Sequence, residues 1–200
     1  MVGAMPKVSA EHRVAMRERI QQAALACVAE KGLSNVSMGD IIAEAGLSAG
    51  AVYVYYRSKE ELIVDAGRRV FEERMEALEQ LTGHDSVPPP AEAVVALMSS
   101  LMQMDFFPGV AVQVWGEAVR NDKLGAVARD ILAQIRSRIE HYLEAWLRTS
   151  HPPEDAASQA RRLAPAVMGL IQGYAIQSAL GAEGAGPAYL ESARTLLAGL

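Results

Sequence analysis

Apolar side chains recur along this chain at intervals of three and four residues and almost nowhere in strict alternation. That periodicity predicts helices throughout and no sheet. Ile20, Ala23, Ala24, Cys27 and Val28 fall at i, i+3, i+4, i+7 and i+8, one apolar stripe on a helix over about residues 10–31. Arg13, Arg17, Arg19, Gln21 and Gln22 lie mostly off that stripe and read as its solvent side. Gly32 follows as the left-handed terminator. Ser37 then caps a second helix, with Asp40 as the acidic capping partner, Ile41, Ile42 and Ala45 as its buried side and Gly46 as its end.

Ser48 caps a third, short helix. Its buried face is expected to carry Leu47, Ala51, Val52 and Tyr56. Ser48, Ala49, Gly50, Tyr53 and Val54 take the opposite side, with Tyr55 flanking. Ser58-Lys59-Glu60-Glu61 reads as the capping box of a fourth helix that runs to about Leu81. Pro88-Pro89-Pro90 makes a surface connection, since no helix interior tolerates three prolines. Further helices are expected over about 91–104, 110–120, 122–148, 154–180 and 188–198. The breaks between them fall at Phe106-Phe107-Pro108-Gly109, Asn121-Asp122, Ser150 to Pro153 and Gly181 to Pro187. The predicted architecture is all-α, with nine helices and no internal repeat.

Composition narrows the function. Half of the 200 residues are hydrophobic, enough for a sizeable core. The single cysteine, Cys27, excludes an internal disulfide and, between Ala24 and Val28, reads as a core residue rather than a redox sensor. The opening MVGAMPKVSA has no signal-peptide core, and the apolar run 164–181 is broken by Gln172, Gln177 and glycines. A soluble, cytoplasmic protein is expected. The net charge of −5 is uneven: residues 1–59 carry seven basic against five acidic side chains, so a mildly basic head precedes an acidic body.

Enzymatic chemistry finds no support. His12, His84, His141 and His151 lie far apart without metal-ligand spacing. The glycines at 181, 184 and 186 follow no strand and open no phosphate-binding helix. Glu60-Glu61 and Glu72-Glu73 are helix neighbours that point apart, not an acid/base couple. No cofactor, metal or catalytic residue is expected.

What remains is geometric. A helix, a tight glycine-containing turn and a second capped helix are the parts of a helix-turn-helix, whose second helix enters the major groove of DNA. Residues 13–63 resemble the DNA-binding domain of the tetracycline-repressor-like (TetR) family. The resemblance rests on Ile20, Ala23-Ala24, Glu30-Lys31-Gly32, Ser37, Ile41, Ala45-Gly46-Leu47-Ser48, Gly50, Tyr53, Tyr56 and Ser58-Lys59-Glu60-Glu61-Leu62. It implies a DNA-binding domain over 1–57 and a ligand-binding and dimerisation domain over 58–200, with 58–81 as a connecting helix. It further implies a homodimeric transcription factor, usually a repressor, on a palindromic operator. Carried over by position, Ser37 and Lys59 should meet phosphates, and Tyr53 and Tyr55 should reach backbone or base edges. Gly39 and Ala49 stand where relatives often carry basic or polar residues. The reading surface of Gly39, Ser48, Ala49, Gly50 and Tyr53 therefore has no Arg, Lys, Asn or Gln for a bidentate base contact.

The body offers candidates for a sensor. Met75, Met98, Met102, Phe106, Phe107, Trp115 and Met168 are adaptable or aromatic side chains around the break at 106–108. Gln113, Glu117 and Gln172 are polar groups on otherwise apolar helices that could orient a small, mostly apolar effector, neutral or cationic. The family's dimer interface corresponds to helices eight and nine. Leu163, Val167, Gly169, Leu170, Gly173 and Tyr174 are the candidates there, the two glycines permitting close helix approach. The expected function is a ligand-released repressor. Two alternatives stay open: a helical DNA-organising protein without a switch, and a lipid carrier or enzyme using the apolar body.

Overall fold

In the computed structural model, which describes residues 10–82, 87–102, 107–149, 152–182 and 185–200, every regular element is a helix. The order is α1 Ala10–Lys31, α2 Met38–Ala45, α3 Ala49–Tyr53, α4 Lys59–Thr82, α5 Pro90–Met102, α6 Phe107–Ala118, α7 Asp122–Leu147, α8 Pro153–Ala179 and α9 Pro187–Leu197. The nine-helix, all-α expectation is met among the described residues. The chain divides into two compact units, Met1–Gly67 and Arg68–Leu200, so the division falls inside α4.

Local chemistry sets most helix ends. Gly32 and Gly46 take left-handed φ values of 83° and 60°, which a side chain would resist. Asn121 caps α7 by accepting from the backbone N–H groups of Lys123 and Leu124. Prolines start helices here. Pro90, Pro153 and Pro187 each open one, because the first turn leaves its N–H groups unpaired anyway. This corrects the break expected through Gly109: α6 begins at Phe107, with Pro108 in its first turn.

In the first unit the stripe on α1 is buried as expected, with Ile20, Ala24 and Val28 fully covered. They share a core with Ile41 and Ala45 of α2, Val52, Tyr56, and Leu62, Ile63 and Ala66 of α4. Burying each large side chain contributes ~1.5–3 kcal/mol. Cys27 is part of this core, and burial raises its thiol pKa, which makes a reactive thiolate unfavourable.

The second unit is built on α7 lying along α8. Ile139, Tyr142, Leu143 and Leu147 of α7 meet Ala156, Ala160 and Ala164 of α8, small residues one turn apart that allow close approach. Val94, Met98 and Leu101 of α5 and Ala193 and Leu197 of α9 complete the cluster. Tyr142 donates a 2.7 Å hydrogen bond to the Pro88 carbonyl, fastening the proline-rich link to α7. Gly125 lets α7 pass close to α6: a Cβ there would stand 2.6 Å from the Ala118 carbonyl oxygen.

Candidate nucleic-acid interface

The helix-turn-helix forms from α2, the turn at Gly46 and α3. Ser37 and Asp40 make a complete capping box: Asp40 N–H donates to Ser37 Oγ at 3.2 Å, and Ser37 N–H donates to Asp40 Oδ2 at 2.9 Å. The Ser37 hydroxyl also donates to Asp40 Oδ2, at 2.5 Å. Lys31 Nζ reaches Asp40 Oδ1 at 2.6 Å. The Lys31 ammonium, followed by the Ser37 donors, holds the Asp40 carboxyl well below the usual carboxylate range. Both donors of Ser37 are thus turned inward to Asp40, a use its expected phosphate contact does not foresee.

The turn between α2 and α3 is pinned from α1. Arg19 Nε donates to the Ala45 carbonyl at 2.8 Å, satisfying a group that the end of α2 leaves open. Ser48 then caps α3 by accepting from Ala51 N–H at 3.2 Å. Val52 and Tyr56 are buried, and Leu47 and Ala51 are half-buried. Ser48, Ala49, Gly50, Tyr53 and Val54 are exposed, Tyr53 by 50% and Val54 by 81%, while Tyr55 is half-buried. The division between buried and outward faces is the one the spacing predicts. Gly39 is exposed on α2, and Gly50 has nothing within 4 Å of where a Cβ would stand.

Two side chains behave otherwise than the sequence suggests. Gln21, expected on the solvent side of α1, is buried, because the apolar stripe is wider than its apolar residues reveal. Its Nε2 donates to Tyr56 Oη at 3.0 Å and to Asp65 Oδ2 at 2.9 Å, while Tyr56 Oη donates to Asp65 Oδ2 at 2.6 Å. Arg17 lies over the Tyr56 ring, 5.6 Å from its centroid. Lys59, expected on a phosphate, instead donates from Nζ to the Leu33 and Val36 carbonyls, each at 2.9 Å. The capping box of α4 is also shifted. Ser58 Oγ accepts from Glu61 N–H, but Glu61 returns its bond to Arg57 N–H at 2.9 Å.

The body's candidates separate. Met98 is completely buried in the core. Gln113, Trp115, Glu117, Met168 and Gln172 are half-buried, and Glu117 pairs with Arg120 at 2.8 Å. Phe106 lies outside the described residues, and Met75, Met102 and Phe107 are described only as helix backbone. Of the dimer candidates, Val167 and Tyr174 are buried within this chain's own core, which removes them from any outward face. Gly173 makes room inside the chain: a Cβ would stand 2.7 Å from the Tyr189 hydroxyl, which donates to the Leu170 carbonyl. Leu163 and Leu170 are half-buried against the core, and Gly169 is exposed. Among the described residues no cluster could hold a metal ion, and no helix is long and apolar enough to cross a membrane.

The family model described as bacterial regulatory proteins, tetR family, matches residues 20–66. The model described as BetI-type transcriptional repressor, C-terminal, matches residues 92–200. The HTH-type transcriptional regulator BetI of Agrobacterium fabrum strain C58 is 30% identical over 192 residues, 94% of this chain and 89% of the relative. A transcriptional regulator of Saccharomonospora viridis, solved in complex with choline, superposes with a TM-score of 0.66 at 24% identity, covering 93% of this chain and 95% of that one. The regulator FadR of Bacillus subtilis, solved with stearoyl-CoA, gives 0.70 at 16% identity, covering 90% and 95%. At these identities the two structures speak for the fold alone.

Proposed function

The chain belongs to the TetR family of bacterial regulatory proteins, with a C-terminal part of the BetI repressor type, and on that premise we propose that it is a ligand-released repressor. It is a DNA-binding transcriptional regulator; the operator, the dimer and the effector are our reading. One observation carries it. The outward face of α3, ending in exposed Tyr53 and Val54, stands on a head whose polar groups are largely spent on holding that face in place.

Ser48, Ala49 and Gly50 lead α3 into the major groove, where Gly50 admits close approach of the DNA. Tyr53 offers a hydroxyl to backbone or base edge, and Val54 an apolar contact to a thymine methyl. Tyr55 and Gly39 flank this surface, and Ser37 reaches a phosphate only by turning its hydroxyl away from Asp40. With so sparse a code, specificity depends on two heads reading two half-sites and on DNA shape. The dimer forms through exposed Gly169 and Ile176, seven apart on one face of α8, with exposed Leu180 at the C-cap of α8 and exposed Leu196 of α9.

The effector enters the body among Trp115, Gln113 and Glu117 of α6 and Met168 and Gln172 of α8, and displaces α4. No catalytic step is involved, and the protein acts in the cytoplasm. A mostly apolar cation is the favoured class: the Glu117 carboxylate, which shares one face of α6 with Gln113, suits an ammonium group, and the S. viridis regulator is bound to choline. The test is titration of choline and of stearoyl-CoA against the protein–operator complex. Choline should weaken operator binding about 5–150-fold, the range of a typical allosteric coupling. Release by stearoyl-CoA alone would replace the effector class. An affinity that neither ligand nor a panel of amphiphilic cations changes would favour the DNA-organising alternative.

A further inference from the structure

The described part of the head carries the cationic side chains Arg13, Arg17, Arg19, Lys31, Arg57 and Lys59. Four are engaged by other groups of the head. Lys31 holds Asp40, Arg19 holds the end of α2, Arg17 lies on Tyr56, and Lys59 spans the Leu33 and Val36 carbonyls. This last arrangement ties the start of α4 to the link between α1 and α2. It occupies two of the three donors of the ammonium group.

Arg57 differs in that its guanidinium has no hydrogen-bond or ion-pair partner among the described residues; it is exposed, as is Arg13, which stands in the first turn of α1 and not beside the recognition segment. It follows Tyr55 and Tyr56 directly, at the end of the recognition segment. Its root is nevertheless fixed, because its backbone N–H donates to Glu61 Oε2, and Glu61 N–H is in turn held by Ser58 Oγ. A free guanidinium on an anchored main chain is suited to a phosphate, which it can grip with two parallel N–H donors.

We propose that Arg57 makes the phosphate contact at the recognition end of the head, and that Lys59 is a positioning residue that fixes α4 without touching DNA. The assignment rests on the repressor reading and refines its site. It explains how a recognition helix without any cation of its own is held to DNA: the charge sits just beyond it.

The experiment measures operator affinity of the full-length protein against salt concentration for the wild type, Arg57→Ala, Arg57→Lys and Lys59→Met, with thermal unfolding of each. Each phosphate contact contributes about −0.9 to the slope of log affinity on log salt, so Arg57→Ala should flatten it by about two across the two half-sites of a dimer. Its unfolding temperature should not move. Arg57→Lys, which keeps the charge, should retain the slope. Lys59→Met should lower the unfolding temperature and weaken binding at every salt concentration while leaving the slope unchanged. An unaltered slope in Arg57→Ala would overturn the proposal, as would a slope loss in Lys59→Met at unchanged unfolding temperature. A wild type that binds no duplex at low salt would instead overturn the repressor reading itself.

Discussion

Tyr56 donates a 2.6 Å hydrogen bond from Oη to Asp65 Oδ2, joining the segment just after the recognition helix to the second turn of α4. Gln21 of α1 closes the triangle with bonds to both. Burial, followed by the Asp65 carboxylate, pushes the Tyr56 hydroxyl well above the usual phenol range, so it stays a donor. Three separate elements meet at these side chains, and the orientation of α3 depends on them.

Tyr56→Phe keeps the ring and its packing but deletes this donor. A hydrogen bond to a charged group contributes about 1.5–3 kcal/mol, and the remaining bond from Gln21 to Asp65 softens the loss. A destabilisation of about 1–2 kcal/mol is expected, read as a lower urea midpoint at unchanged m-value. An unchanged midpoint would mean that water replaces the hydroxyl without cost.

Gly125→Ala places a methyl group 2.6 Å from the Ala118 carbonyl oxygen, a backbone atom that cannot swing aside. Overpacking of this kind costs about 1–3 kcal/mol. Gly116→Ala on α6 meets nothing within 4 Å and serves as the control. It should stabilise by about 0.5–1 kcal/mol, because alanine loses less backbone entropy in a helix. Thermal unfolding of the two variants should therefore shift in opposite directions.

Asp40 sets an acid limit on the helix-turn-helix. Its folded pKa is depressed by Lys31 and Ser37. The stabilisation is therefore fully present above the unfolded carboxylate value of about 4, and is lost as pH falls through the lower folded value. Unfolding midpoints measured below about pH 4 should drop more steeply for the wild type than for Asp40→Asn, which lacks the titrating group. Parallel acid profiles would show that the capping box does not couple to protonation.

What the sequence made legible is local. Ser37, Gly46 and Ser48 mark helix ends through their own backbone and near neighbours, and the period of Val52 and Tyr56 gives the outward face of α3 directly. Relationships across the fold were not legible. Gln21 is polar and reads as solvent-facing until Tyr56 and Asp65, distant in sequence, arrive beside it. Lys59 matches the expected motif, yet carbonyls on another segment take its donors. Tyr174 and Gly173 have the spacing and size of interface residues, and only the arrival of Tyr189 of α9 beside them assigns them to the chain's own core, where Val167 is also buried. Proline was misread at Pro108 because position within a helix decides its effect, and that position depends on where the helix starts.

The central claim is that this chain reads DNA as a two-fold dimer through α3. Selection of bound duplexes from a random pool, run with the wild type and with Tyr53→Ala, tests it most directly. The wild type should enrich a palindrome whose half-sites are centred about 10–10.5 base pairs apart, or a multiple of that, as one helical turn requires. Tyr53→Ala, altered at a half-exposed position outside the core, should stay folded and fail to enrich it. Enrichment of a single asymmetric site, or of the same palindrome at equal strength by Tyr53→Ala, would contradict the account.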